Sequence, residues 1–213
     1  NDQDIPVGIC RRIVRRRDAA AEPIRGIDEA VAHADQPRSR PQLRARLNAL
    51  SARVAADMGF ETLYVTGAGV TNMWLGMPDQ GFMGLSEIES HTARIRDAVE
   101  LPLIVDADTG FGNALNTYHT VRTLERAGAD CIQLEDQVSP KRCGHFNGKD
   151  VIATEDMVNK IKAACDARRD EQLLIMARTD AAAVEGFDAA IERAQCYAQA
   201  GADILFVEAV TRL

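Results

Sequence analysis

The chain has 213 residues, with Lys+Arg 25 against Asp+Glu 32, a formal charge of −7. At 46% hydrophobic and 27% charged residues it has the make-up of a soluble globular protein, long enough for one domain plus a tail. The acidic balance argues against a nucleic-acid-binding face, and no apolar run approaches the roughly 18 residues of a membrane span. Five cysteines with no Cys-x-x-Cys pair fit a reducing compartment, the cytoplasm, better than a disulfide scaffold or a structural zinc site.

Residues 1–41 hold four of the seven prolines (Pro6, Pro23, Pro37, Pro41) and the run Arg11–Arg17, with no strand pattern. They read as a poorly ordered leader, and they carry too many acids for a transit peptide. From residue 42 onward a single β/α domain is expected. Its strands are Thr62–Thr66, Leu101–Val105, Cys131–Leu134, Leu173–Ala177 and Ile204–Val207. These runs are continuously apolar, as strands buried on both faces should be.

Helix signals fall between them. Ser86 with Glu89 reads as a capping box, Thr154 as a cap followed by Glu155 and Asp156, and Asp188 as the cap of a last helix. Gly59, Gly128 and Gly201 stand where helices should stop. The pattern Ala-Gly-Ala-Asp occurs twice, at residues 127–130 and 200–203, each time ahead of a strand that ends in an acid. Such β/α repetition implies parallel strands with right-handed crossovers. About five modules fit the chain, where a closed eight-stranded barrel takes about 250 residues. The arithmetic leaves two architectures open: a five-stranded doubly wound sheet, or a partial (β/α)8 TIM-type barrel with about five of eight strands.

Nearly every strand ends in a reactive group: Thr66-Gly67-Ala68-Gly69, then Asp106-Ala107-Asp108, Glu135-Asp136, Arg178-Thr179-Asp180, and Glu208. Strand C-termini form the active face of parallel α/β proteins. The carboxylates and the arginine there point to a cation beside an anionic substrate. Asp106 and Asp108, two apart on a strand, should point the same way, with Glu135 as an outer ligand and Asp136 turned to the other side. Hard oxygen donors without a His pair favour Mg²⁺ or Mn²⁺ over zinc. In the segment Pro140–His145 two cations precede Cys143 and a histidine follows it, surroundings that favour thiolate. Gly67-Ala68-Gly69 offers amides to a carboxylate or phosphate but does not complete a dinucleotide fingerprint.

Six motifs in order resemble the isocitrate lyase/phosphoenolpyruvate mutase superfamily: Tyr64–Gly69, Leu75–Asp79, Asp106–Asp108, Glu135–Gln137, Lys141–His145 and Ala177–Asp180. The nearest likeness is to its short lyases of 2-methylisocitrate and related substituted malates, and the Lys-Arg-Cys-Gly-His loop marks the carbon–carbon lyase branch. The resemblance implies a Mg²⁺-dependent retro-aldol-type cleavage of a small di- or tricarboxylate. It implies Asp106, Asp108 and Glu135 at the metal, and Thr66, Gly67 and Ala68 on the carboxylate of the 2-hydroxy acid half. Arg178 would pair with the reacting oxygens and Tyr64 would join the proton-abstraction network. Cys143 would protonate the leaving carbanion, beside Gly144, and Glu208 would close the substrate site. Asp79 enters from the family pattern as a nearby carboxylate. A full-length member is expected to be a homo-oligomer that binds neither nucleic acid nor membrane. Val207, where 2-methylisocitrate lyases tend to have Pro, shifts the expectation toward other substituted malates or oxaloacetate. Two alternatives are a catalytically impaired truncated paralogue acting through association, and an oxaloacetate- or phosphonopyruvate-processing relative.

Overall fold

The computed structural model describes residues 48–144 and 148–209. The expected leader over 1–41 lies outside the described residues, as does His145. Helix α1 (Ala49–Asp57) opens on a reciprocal cap: Asn48 Oδ1 accepts from the Ser51 amide at 2.9 Å, and Ser51 Oγ accepts from the Asn48 amide at 2.8 Å. The chain continues through β1 (Leu63–Val65), α2 (Gly67–Leu75), α3 (Leu85–Arg96), β2 (Leu103–Asp106), α4 (Ala114–Arg126) and β3 (Cys131–Glu135). Then come α5 (Thr154–Ala167), β4 (Leu174–Thr179), α6 (Ala181–Val184), α7 (Phe187–Ala200) and β5 (Ile204–Val207).

All five strands are parallel and pair in the order β1-β2-β3-β4-β5. That order decides between the two architectures. A doubly wound sheet reverses its winding at a switch point, which leaves its first strand in the interior. Here each strand adds on the same side as the last, so right-handed crossovers put the helices on one face and leave the other to look inward. The architecture is five consecutive strands of a TIM-type β/α barrel.

Strand alternation splits the apolar residues into two layers. Leu63, Val65, Leu103, Val105, Ile132, Leu134, Ile175 and Ala177 pack outward against Val121, Leu124, Met157, Ile161 and Tyr197 of the helices. Ile104, Cys131 and Met176 pack inward with Tyr64, Leu174, Ile204 and Phe206. Because both faces are apolar, the strands read as unbroken hydrophobic runs. Each fully buried Leu or Ile contributes roughly 1.5–3 kcal/mol.

The repeated Ala-Gly-Ala-Asp has a physical role. Asp130 Oδ2 accepts from the amide of Leu103, the first residue of β2, at 2.8 Å, and the Asp130 amide donates back to Leu103 O at 3.0 Å. One repeat later Asp203 Oδ2 accepts from the Ile175 amide at 2.9 Å and its own amide donates to Ile175 O at 2.9 Å. An arginine from the preceding helix end joins each pair, Arg96 with Asp130 and Arg168 with Asp203. Each aspartate thus fixes register where a strand meets its neighbour. The glycine before it takes a left-handed φ, +93° at Gly128 and +114° at Gly201, and stops the helix as expected.

Three caps differ from expectation. Helix α3 starts earlier than Ser86, because Glu87 reaches back to the Gly84 amide at 2.9 Å. Thr154 is the first residue of α5 rather than its cap, and Glu155 and Asp156 occupy the first turn at the positive helix end. Asp188 sits in the first turn of α7, since Gly186 holds the cap position at φ +101°. Among the described residues no helix is long and apolar enough to cross a membrane.

Candidate active site

The inward row of β2, β3, β4 and β5 changes from apolar to charged toward the C-terminal end, at Asp106, Glu135, Arg178 and Glu208. Register sets the pairs: Asp106 lies beside Gln133, Glu135 beside Arg178, and Arg178 beside Phe206. Asp136, one position on from Glu135, turns to the helix side. There it accepts from Thr179 Oγ1 at 2.7 Å, Tyr197 OH at 2.8 Å and the Asp180 amide at 2.9 Å.

Asp106 and Asp108 come together for a different reason than strand alternation. Strand β2 ends at Asp106, and Asp108 lies beyond it at φ +47°, a conformation uncommon outside glycine. The turn brings the Asp108 amide to within 3.1 Å of Asp106 Oδ1, which also accepts from Gln133 Nε2 at 3.4 Å. Asp106 Oδ2 accepts from the Gly67 amide at 3.2 Å, at the N-terminus of α2. The first amide of the Gly67-Ala68-Gly69 segment therefore meets a carboxylate of the protein itself. A side chain at Gly67 would come within 2.9 Å of Asp108 Oδ1, so both aspartates stand directly against this backbone. Thr66 is buried at the cap position of α2 without a side-chain capping bond, and Ala68 is half-buried in its first turn.

Lys141 closes this half of the site. Its ammonium, almost fully buried, lies 2.8 Å from Asp79 Oδ2 and 2.8 Å from Asp108 Oδ1. The charge of Lys141, one of the two cations that precede Cys143 in the sequence, is committed to two carboxylates. Cys143 follows two residues on, half-buried, with its amide donating to Asp79 O at 3.1 Å. Burial and the neighbouring Asp106 push the Asp108 carboxyl up to about 7, against the pull of Lys141.

The second half centres on Arg178. Its guanidinium forks onto Asp180, Nε to Oδ2 at 2.9 Å and Nη2 to Oδ1 at 3.1 Å. It also faces Glu135 at 3.4 Å and Glu208 at 3.8 Å. Gly144 lies against this group, since a side chain there would approach Glu208 Oε1 to 2.5 Å and Arg178 Nη2 to 2.7 Å. Glu135 joins the halves. It is fully buried, and burial raises its carboxyl well above the usual range despite Arg178 and Lys141. Tyr64, hydrogen-bonded to Gln133, is held protonated far above the usual phenol range, first by desolvation and then by Asp106.

The donor set fits a hard divalent cation. Asp108 Oδ1, which meets Lys141 only as an ion pair, and both oxygens of Glu135 are buried without a directed hydrogen bond. Among the described residues no three His, Cys, Asp or Glu side chains form a complete metal-binding group. Mg²⁺ needs no such preassembled group, because it binds through one or two carboxylates and keeps several waters. Sequence reasoning left Lys141 without a site role of its own and passed over Gln133, Lys149 and Asp180. Asp180 was visible inside the Arg178-Thr179-Asp180 motif, and the two lysines bracket the Cys143-Gly144 turn.

Residues 38–213 match the family model described as phosphoenolpyruvate phosphomutase. The chain belongs to this family. It is 58% identical over 166 residues to a 2-methylisocitrate lyase of Aeropyrum pernix, an alignment spanning 78% of this chain and 53% of that protein. The chain therefore spans about half the length of this curated relative. A crystal structure of 2,3-dimethylmalate lyase, a PEP mutase/isocitrate lyase superfamily member, superposes with a TM-score of 0.77 at 32% identity, covering 88% of this chain and 63% of that one. A phosphonopyruvate hydrolase solved with oxalate and Mg²⁺ gives a TM-score of 0.72 at 30% identity, covering 87% and 64%.

Proposed function

We propose that this chain carries the active face of a Mg²⁺-dependent carbon–carbon lyase that cleaves 2-methylisocitrate or a similar 3-substituted malate by a retro-aldol-type reaction. The observation that carries the reading is the placement of Cys143 and Gly144. The Cys143 amide is bound to Asp79, whose partner Lys141 also pairs with Asp108, and Gly144 lies on the Arg178–Glu208 pair. The backbone of Cys143 and the fixed cation of Lys141 thus stand beside the acidic cluster, which supports giving the Cys143 thiol the proton-donor role. The relatives named as lyases of 2-methylisocitrate and 2,3-dimethylmalate support the substrate class.

Asp106 and Asp108 would hold Mg²⁺ with Glu135 in support. The ion would supply Lewis-acid stabilisation of the oxyanion that develops on the 2-hydroxy acid half. Mn²⁺ shares the same donor preference. Thr66 and the Ala68 amide at the start of α2 would orient the carboxylate of that half, with Gly67, whose amide is taken by Asp106, leaving space for it to approach. Arg178, locked to Asp180, would face the reacting oxygens without needing to reorganise. Tyr64, a neutral phenol, would donate a hydrogen bond there. The proton of the 2-hydroxyl would leave through the network around Tyr64 to a carboxylate of the acidic cluster. As the C2–C3 bond breaks, its electron pair stays on the leaving carboxylate fragment, and Cys143 Sγ–H would deliver the proton that quenches it, the thiolate being reprotonated before the next turnover. Glu208 would close the pocket beside Gly144.

The test is purified chain with Mg²⁺ and either 2-methylisocitrate or 2,3-dimethylmalate, with pyruvate followed by a coupled dehydrogenase. Pyruvate formation that chelation abolishes supports the reading. No product from either acid at any Mg²⁺ concentration refutes it for this chain. A second reading, association with another copy or a longer partner, draws on β1 and β5, which among the described residues have a strand neighbour on one side only, and on the half-buried Ile204, Leu205 and Phe206 of β5. Sedimentation of a single monomeric species would dismiss it.

A further inference from the structure

We infer that Lys149 is a positioning residue whose ammonium, shared between the Asp180 carboxylate and the Gly144 carbonyl, sets the Cys143-Gly144 segment against Arg178.

The connection runs through named atoms. Lys149 Nζ lies 2.8 Å from Asp180 Oδ1 and donates to Gly144 O. The same Asp180 Oδ1 accepts from Arg178 Nη2 at 3.1 Å, and Asp180 Oδ2 accepts from Arg178 Nε at 2.9 Å. One carboxylate therefore receives the arginine that faces the pocket and the lysine that holds the backbone next to the thiol. Both ends are shielded: the Lys149 side chain is 3% exposed and that of Asp180 is 0% exposed. In such surroundings a charge pair is stiff, and removing one partner leaves an uncompensated charge.

Asp180 is fixed from behind. Its amide donates to Asp136 Oδ1 at 2.9 Å, and Asp136 is tied in turn to Thr179, Tyr197 and, at 3.6 Å, Arg193. Burial alone would raise the Asp180 carboxyl, but Arg178 and Lys149 hold it below its usual range, so it stays ionised and both contacts persist. The segment on the far side of Lys149 is anchored too, by the antiparallel bridge of Val151 with Gln137 and the bond from the Ile152 amide to Asp136 O. The lysine backbone thus belongs to the barrel rather than to the turn it grips. Gly144 has no room to move toward the pocket, because Arg178 and Glu208 stand where a side chain would be. Lys149 keeps it from moving away.

The catalytic consequence rests on the lyase reading above, but the positional claim does not, and the experiment separates them. The probe is iodoacetamide, with alkylation of each cysteine followed by peptide mass mapping in the 213-residue wild type, Lys149→Met and Lys149→Arg. Thermal melts run in parallel to confirm folding. Lys149→Met should speed alkylation of Cys143 by about tenfold or more, the factor given by each 1.4 kcal/mol of lost closure. Cys196, on α7, should keep its wild-type rate as an internal reference. Lys149→Arg, which keeps the charge, should return Cys143 most of the way to wild type. Should Lys149→Met not fold, Lys149→Gln takes its place. Equal Cys143 rates in wild type and the folded neutral variant overturn the inference, as does an arginine variant as fast as the neutral one. Where the wild type produces pyruvate, the neutral variant should lose kcat, with partial recovery in Lys149→Arg. A wild type that turns over no substrate refutes the lyase reading while leaving the alkylation result to stand on its own.

Discussion

The ammonium of Lys141 sits 2.8 Å from Oδ1 of Asp108, an aspartate held at φ +47° beyond the end of its strand. A residue in that conformation costs of order 1–3 kcal/mol unless its surroundings fix it. Here the fixing groups are polar: Asp106 takes its amide and Lys141 pairs with its carboxylate. Strain and like charge are concentrated where a cation would be most stabilising.

The first prediction concerns that pair. Lys141→Met leaves Asp79 and Asp108 buried without their common cation, and breaking such a buried pair costs about 3–5 kcal/mol. Urea denaturation should show a loss of that order. Adding Asp108→Asn to Lys141→Met should recover part of it, which a simple packing defect would not allow.

A second prediction follows from the carboxyl of Asp108, which titrates near 7 when folded and near 4 when unfolded. Between those values the folded state holds the extra proton, so stability present below about pH 4 is lost as pH rises to about 7. Asp108→Asn cannot ionise and escapes this loss. Its stability relative to metal-free wild type should climb from pH 4 to 7 and level off above. A difference that stays flat across that range would contradict the assignment.

The third prediction tests the proton donor. Cys143→Ala should lower the rate of pyruvate formation by roughly 10²–10⁴, the usual worth of a positioned general acid. Because Cys143 is only half-buried, the melting temperature should hardly change. A variant as fast as wild type removes the role given to the thiol.

Gly144→Ala supplies a fourth. The new methyl would collide with Glu208 Oε1 at 2.5 Å and Arg178 Nη2 at 2.7 Å, so the segment must lift away from the arginine. Turnover should fall by about a hundredfold, as displacements of about an ångström do at such sites. Unchanged kinetics would show that the turn is not seated as described.

A fifth concerns the fold alone. Asp130→Ala and Asp203→Ala each leave a strand-entry amide, Leu103 or Ile175, without its acceptor. Each should destabilise by about 1–3 kcal/mol, read by urea denaturation. The two sites lie in different modules and share no partner, so the effects should add.

Much of this was legible in one dimension. The apolar runs marked all five strands, because burial on both faces leaves a signal that needs no partner to be read. The Ala-Gly-Ala-Asp echo marked the modules, and Gly128 and Gly201 the helix ends. Caps read less well: Ser86 resembles a helix start, but the cap is Gly84, two residues earlier, whose amide donates to Glu87. Lys141 misled for a related reason. Two residues before a cysteine in sequence it looks like a charge beside the thiol, whereas its four-carbon stem carries the ammonium to Asp79 and Asp108. Lys149 gave no signal, because its partners Asp180 and Gly144 are joined to it only through space.

Sequence alone determined the parallel β/α character, the collection of charged groups at strand ends, and the choice of oxygen donors, since residue type and periodicity are local properties. The tertiary structure decided that the strands wind in one direction and that Asp106 and Asp108 converge through a left-handed turn. It also decided that Lys141 and Lys149 each bind the carboxylates they do. Winding direction and the pairing of buried charges depend on which distant segments share the same space, and that is fixed only when the chain packs.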